Sequence, residues 1–283
     1  MKFNEQLEQL ILGALHEDVG NGDHSTLCCI PPETAGKAVL KIKQAGVLAG
    51  IQVASYIFKM LDNESVFTEF KADGDKGQPG EVAFEVNARV HTILKAERLV
   101  LNIMQRMSGI STLTDCYVEK IRGYKTKLLD TRKTTPNFRL LEKEAVRIGG
   151  GYNHRFGLFD MIMLKDNHID FCGGIKPAIE KAYQYIQDKP GLKIEIETRN
   201  LDEVKQVLTV GKVHRIMLDN FTPDEIKKAL LLIDNKFETE ASGGIHLDNI
   251  VSYAATGVDF ISSGAIIHQA TSLDLSLKAK IFQ

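Results

Sequence analysis

The sequence predicts an α/β protein in two parts: a mixed N-terminal segment, then a series of βα units whose strands form one parallel sheet. Three observations carry this. Short apolar runs recur at KLLD (127–130), DMIML (160–164), KIEIE (193–197), RIMLD (215–219), FETEA (237–241) and DFISS (259–263), with helical stretches between them at about 138–148, 174–187, 201–210, 223–233 and 247–256. The last four runs start twenty-two residues apart, the repeat of strand, loop, helix and loop. Each run is also followed by residues able to do chemistry: Arg132 and Lys133, Lys165 and Asp166, Glu197, Asp219, Ser242-Gly243-Gly244, and Ser263-Gly264. Six units are too few for a closed eight-stranded barrel, which leaves an incomplete barrel or an open doubly wound sheet. The sorted strand ends favour the barrel, because barrel strands bring their carboxyl ends to one mouth.

The N-terminal elements follow from local patterning. Leu7, Leu10, Ile11 and Leu15 fall at helical spacing and predict a helix over 4–15. GKAVLKIKQ (36–44) alternates like a half-buried strand, and 51–61 suits a helix. Strands are expected at 66–72 and 81–93, parted by the turn-rich DGDKGQPG, with a long helix starting near Leu94. The change of texture near residue 108 gives domains of 1–108 and 109–269, with a tail at about 270–283 that packs back on the first domain.

Composition narrows the function classes. The 283 residues are 43% hydrophobic and 25% charged, enough for a sizeable core. Lys+Arg 35 against Asp+Glu 37 gives a net charge of -2, which argues against a nucleic-acid binder with a one-signed surface. No run of about 18 apolar residues is present, so no membrane span is expected, and MKFNEQLEQL lacks the pattern of a secretory signal. Cys28, Cys29, Cys116 and Cys172 form no CxxC pair and read as reduced thiols of a cytoplasmic protein.

The candidate site residues lie on the loops after the strands. Ser242-Gly243-Gly244 and Ser263-Gly264-Ala265 sit between a strand and a helix, where backbone N–H groups can approach an anion; ordinary tight turns are the alternative. Their place on the last two strands favours a phosphate grip. Arg132, Lys133, His154, Arg155 and Lys165 put five potential cations on the first two loops, behind the flexible Gly149-Gly150-Gly151. Singly each is a solvated cation or, for His154, a structural histidine; together they suggest a small polyanionic substrate. Glu197 and Asp219 close adjacent apolar runs and need a partner, which is a metal such as Mg²⁺, a hydroxyl, or Lys165 or Lys133 across the mouth. Glu195 shares the sheet face of Glu197, either as a second mouth residue or as part of an inner charge layer. Arg98 lies beside the apolar stripe Leu99, Val100, Ile103, Met104 and Met107, and nothing local makes it catalytic.

With TRKTTPNFRLLEKEAVRIGGGYNHRFGL (131–158) and MLKDNH (163–168), the chain resembles the quinolinate phosphoribosyltransferase family, also called nicotinate-nucleotide pyrophosphorylase (carboxylating). EDVGNGDHST (17–26), AERLVLNIMQRMSGIST (96–112), IEIE (194–197), IMLDNF (216–221), EASGGI (240–245) and SGAIIH (263–268) extend the resemblance over nearly the whole chain. It implies an N-terminal α/β sandwich and a C-terminal incomplete barrel. It also implies conversion of quinolinate and phosphoribosyl pyrophosphate to nicotinate mononucleotide, pyrophosphate and CO2, with Mg²⁺, in NAD biosynthesis. A homodimer is implied in which Arg98 enters the neighbouring subunit's site. Arg132, His154, Arg155 and Lys165 match the quinolinate pocket. Lys133, Glu197, Asp219, Ser242, Gly243, Gly244, Gly264 and His268 match the phosphoribosyl pyrophosphate and metal site, and Lys165, Glu197 and Asp219 carry the catalytic roles. Phe156 and Met163 vary the basic-loop motifs conservatively. The rivals are a pyridine-base or molybdenum-associated phosphoribosyltransferase without decarboxylation, and a non-catalytic phosphosugar-binding barrel.

Overall fold

The computed structural model describes residues 3–280, so the last three residues of the expected tail lie outside it. The chain begins with α1 (Phe3–Val19), α2 (His24–Cys29), β1 (Ala35–Ile42), β2 (Gly46–Val47), α3 (Ile51–Leu61), β3 (Val66–Glu69) and β4 (Lys76–Gly77). β5 (Val82–Arg89), α4 (Val90–Lys120), β6 (Lys127–Leu129), α5 (Arg139–Ile148), β7 (Ile162–Leu164) and α6 (Asp166–Cys172) follow. Next come α7 (Ile175–Tyr185), β8 (Ile194–Thr198), α8 (Leu201–Val210), β9 (Arg215–Asp219) and α9 (Pro223–Ile233). The chain closes with β10 (Glu238–Ser242), α10 (Ile250–Ala254), β11 (Phe260–Ser262), α11 (Ala265–His268) and β12 (Leu275–Lys280).

Two compact units result. The first comprises residues 1–115, 134–150 and 267–283, and the second 116–133 and 151–266. The sequence boundary at 108/109 therefore falls inside α4, and α5 groups with the N-terminal unit.

The first unit holds an antiparallel sheet in the order β12-β1-β5-β3, with β12 paired to β1 from Lys37↔Lys280 to Ile42↔Leu275. Phe58 of α3 meets Phe84 of β5 at a ring separation of 6.4 Å, and Phe84 stacks on Phe67 of β3 at 4.4 Å. These rings and the fully buried Leu40 and Ile42 make the core of the unit. A polar knot holds its later pieces. The Arg106 guanidinium donates to Glu142 (2.9 Å) and to the carbonyls of Ala270 (2.8 Å) and Ile267 (2.9 Å), and Glu142 is fully buried. Gly109 permits the approach of this segment, since a Cβ there would lie 2.0 Å from the Thr271 carbonyl oxygen.

One boundary differs from the sequence expectation. The strand expected over 81–93 stops at Arg89, and the helix starts at Val90 rather than near Leu94. Val90, Thr92 and Ile93 favour strand by side-chain shape, but burying Thr92, Ile93, Ala96 and Val100 along one helical stripe overrides that preference. Short α2, capped by the Asp23 carboxylate accepting from Thr26 N–H, was not expected, nor was α6.

The second unit contains the six-stranded parallel sheet β6-β11-β10-β9-β8-β7. β6 and β7 are its outer strands, as an open barrel requires. Helices α8 and α9 start as the caps dictate: Asn200 accepts from Asp202 and Glu203 N–H, and Thr222 with Glu225 forms a capping box ahead of Pro223. In β8 and β9 the register pairs Glu195 with Arg215 and Glu197 with Met217. Ile196, Ile216 and Leu218, on the other face, are fully buried. Strand alternation thus stacks a lower charged layer of Glu195 and Arg215 under an upper layer of Glu197 and Asp219. No described helix is long and apolar enough to cross a membrane.

Candidate active site

The strand ends of the second unit bring together most of the expected residues. Lys165, at the N-cap of α6, places its ammonium 3.0 Å from Glu197 Oε2. Burial and then the neighbouring Glu197 push the Asp219 carboxyl above the usual aspartate range, while Lys165, Asn220 and Lys133 oppose the shift. Lys133, Lys165, Glu197 and Asp219 therefore share one electrostatic field. The ion pair to Lys165 anticipated for Glu197 is present, and the Asp219 carboxylate beside it accepts from the Asn220 amide. That pair of mutually repelling acids fits a divalent cation.

Asn220 supports Asp219 from the side. Its amide donates to Asp219 Oδ2 at 2.6 Å, and its backbone N–H donates to the Ser242 carbonyl at 2.8 Å. Asn220 adopts φ +58°, and Gly243, packed on it, has φ +93°. A Cβ at Gly243 would meet Asn220 Oδ1 at 2.2 Å, so only glycine lets this turn close against the acid's support. Ser263, after β11, donates to the Ile245 carbonyl at 2.8 Å and ties the last two loops together.

The cationic side of the mouth is built from β6 and the segment running beside it. Tyr152 bridges Leu129 in parallel, with its N–H donating to the Leu128 carbonyl at 2.8 Å. Asp130, fully buried, accepts from His154 N–H (2.8 Å) and from the Asn153 amide (2.6 Å). Arg155 is half-buried, with Nη1 donating to the Met161 carbonyl at 3.2 Å. Burial first, and then the adjacent Arg132, disfavour its charge, so two guanidinium groups sit close enough to repel. An anion between them relieves both penalties.

His154 turns both ring nitrogens into the protein. Nδ1 accepts the Arg155 N–H at 2.7 Å, and Nε2 lies 2.9 Å from Glu195 and 3.4 Å from Glu240. Glu195 is fully buried, which makes it part of the inner charge layer and not a second mouth residue. Burial, then Glu240, pushes the Glu195 carboxyl up to about 7. Burial works against charge on His154, and the neighbouring carboxylates of Glu195 and Glu240 favour it. A proton on Nδ1 would collide with the Arg155 N–H, so the geometry favours the tautomer carrying its proton on Nε2, against Glu195. Against its burial, His154 first, then Ser262 and Arg215, hold Glu240 below its usual range, Arg215 donating to it at 2.8 Å. Sequence reasoning missed Arg215, the first residue of β9, and Glu240, in the middle of β10; the only signal was their parity with Asp219 and Ser242. Arg98 is exposed on α4 and His268 is exposed at the end of α11, both in the first unit.

Known proteins match the chain over both of its parts. The C-terminal domain model of quinolinate phosphoribosyl transferase matches residues 110–278, and the N-terminal domain model matches 23–108. The chain is 42% identical over 288 residues to "Nicotinate-nucleotide pyrophosphorylase [carboxylating], chloroplastic" of Oryza sativa subsp. japonica, covering 96% of this chain and 77% of the relative. It is 41% identical over 272 residues to the "Probable nicotinate-nucleotide pyrophosphorylase [carboxylating]" of Bacillus subtilis, covering 96% and 93%. The crystal structure of NadC from Streptococcus pyogenes superposes with a TM-score of 0.92 at 40% identity, over 98% of each chain. A human nicotinic acid phosphoribosyltransferase, at 12% identity and a TM-score of 0.63, shares the fold alone. With both domain models matched in order along one chain, this protein belongs to the quinolinate phosphoribosyltransferase family.

Proposed function

We propose that this chain transfers the phosphoribosyl group of phosphoribosyl pyrophosphate to quinolinate and decarboxylates the adduct, giving nicotinate mononucleotide, pyrophosphate and CO2. The observation that carries this is the match to both family domains along the chain, with Arg132 and Arg155 on the first two loops near enough for their charges to repel. Quinolinate is a dianion, and paired guanidinium groups suit planar carboxylates. Arg98, reaching in from a neighbouring subunit, completes the carboxylate-binding set in a homodimer.

The chemistry needs positioning and charge more than a protein nucleophile. The Ser242-Gly243-Gly244 and Gly264 turns offer backbone N–H groups to phosphate, and Lys133 and His268 supply further cationic or donor contacts. The pyridine nitrogen forms a bond to the anomeric carbon of the ribose as the bond to pyrophosphate breaks. Positive charge develops on the sugar in that transition state, and Glu197 and Asp219 are preorganised to stabilise it. Lys165 holds Glu197 in place and faces the incoming carboxylate. The bond from the ring to the adjacent carboxylate then breaks, its electron pair held by the cationic ring until a proton takes its place. Glu197 and Asp219 would also hold Mg²⁺, which supplies charge neutralisation for the pyrophosphate.

The test is a coupled assay of pyrophosphate release with quinolinate, nicotinate or nicotinamide as acceptor. Release with quinolinate alone is expected, and equal turnover of nicotinate would contradict a site selective for the dianion. Localisation in the cytoplasm is part of the same reading.

A further inference from the structure

The buried charge layer below the mouth has a role that the mouth chemistry does not use. Four groups from different elements converge there: His154 from the loop beside β6, Glu195 of β8, Arg215 of β9 and Glu240 of β10. Glu195 and Glu240 are fully buried, and the His154 side chain is 5% exposed. One potential ligand atom each from His154, Glu195 and Glu240 lies within 4.8 Å of the others. A metal cage is the less economical reading. Nε2 already sits at contact distance from Glu195 (2.9 Å), and Glu240 is engaged by Arg215 at 2.8 Å.

What the layer holds is the imidazole, and what the imidazole holds is Arg155. Nδ1 accepts the backbone N–H of Arg155 at 2.7 Å. On its other side the same segment is pinned to β6 by Asp130, which accepts from His154 N–H and the Asn153 amide. Arg215 is itself immobilised, with its guanidinium over the Phe260 ring at 4.1 Å and a second acid, Glu238, at 3.1 Å. The segment 153–155 is thus fixed from the barrel interior and from the edge strand together. A guanidinium carried on a loop fixed in this way meets its carboxylate at a smaller ordering cost.

We propose that His154, Glu195 and Glu240 act as positioning residues that aim Arg155 at the substrate carboxylate, His154 acting through Arg155 and not by a ring nitrogen of its own on quinolinate. This rests on the reading that quinolinate is the acceptor.

A double-mutant cycle on the full-length protein tests it, with Glu240→Gln, Arg155→Ala and the double variant. Quinolinate affinity is read by titration calorimetry, KM for phosphoribosyl pyrophosphate by pyrophosphate release, and folding by thermal melts. Glu240→Gln should weaken quinolinate by about tenfold or more, the scale of a small misplacement of a binding group, with KM for phosphoribosyl pyrophosphate changed less than about twofold. In the Arg155→Ala background the same change should cost nothing further, because the group being aimed is gone. Multiplicative losses, an unchanged quinolinate affinity, or equal losses for both substrates would each overturn the proposal. If Glu240→Gln fails to fold, Asp130→Asn, which loosens the same segment from the β6 side, runs the same cycle with the same criteria. A wild-type chain that neither binds nor turns over quinolinate would overturn the functional reading and this proposal together. An active wild type with multiplicative losses overturns this proposal alone.

Discussion

Substituting Gly243 by alanine separates two costs that the structure makes distinct. The residue has φ +93°, and the new Cβ would lie 2.2 Å from Asn220 Oδ1, 2.7 Å from its Cγ and 2.9 Å from its backbone nitrogen. Left-handed backbone in a non-glycine residue costs about 1–2 kcal/mol. The collision adds to this, because backbone nitrogen cannot swing away as a side-chain tip can. Gly244 is the control: its φ is +61°, and nothing lies within 4 Å of an added Cβ, so alanine there meets strain alone. Gly243→Ala should therefore displace Asn220, which holds Asp219 at 2.6 Å, as well as the phosphate turn. At 1.4 kcal/mol per tenfold, strain alone accounts for a rise of about 5- to 30-fold in KM for phosphoribosyl pyrophosphate. Gly244→Ala should stay within that range, and Gly243→Ala should exceed it and lose kcat as well. The assay is steady-state pyrophosphate release at saturating quinolinate, on variants whose melts show a folded chain. A folded Gly243→Ala protein no worse than Gly244→Ala would refute the assignment of this turn to the site.

Three further outcomes follow from named contacts. Asp219→Asn should keep the fold but lose most turnover and weaken Mg²⁺ dependence; normal kinetics with unchanged metal dependence would leave Asp219 a structural acid. Inactive Arg98→Ala and Lys165→Ala chains, unfolded and refolded together, should recover up to about a quarter of wild-type activity, since half the dimers carry one intact site. Confirmed heterodimers that stay inactive would place Arg98 in its own chain's site. Asp62, 3% exposed, is held below the usual aspartate range first by Arg89, whose Nε lies 3.2 Å away. Its stabilisation is present above the unfolded pKa of about 3.9 and is lost as pH falls through the lower folded value. With Arg89 half exposed, Asp62→Asn should cost about 1–2 kcal/mol in urea unfolding at pH 7 and progressively less below pH 4; a cost independent of pH would show that the carboxylate charge is not its source.

How much of the fold and site was legible in the sequence depends on the range of the interactions involved. The helices 51–61, 201–210 and 223–233 stand where the sequence places them, because periodicity and caps such as Asn200 and Thr222 are local. The start of α4 was not legible: only burial of Thr92 and Ile93 against the rest of their unit decides for helix. Strand ends could be read from the sequence since each acid or cation closes its own apolar run. Parity placed Glu195 on the face of Glu197 but left open whether it reached the mouth. That Glu195 meets His154 at 2.9 Å, and that Arg215 meets Glu240 at 2.8 Å, depends on register between strands and on the path of the loop beside β6. The Arg106–Glu142 knot joins residues 36 apart and left no trace in any local pattern.

The most direct measurement follows the carboxylate itself. With quinolinate labelled at the carboxyl group next to the ring nitrogen, transfer followed by decarboxylation predicts one labelled CO2 and one nicotinate mononucleotide for every pyrophosphate released. Both products should vanish when phosphoribosyl pyrophosphate is omitted. Pyrophosphate release without labelled CO2, or label retained in the nucleotide product, would contradict that reaction.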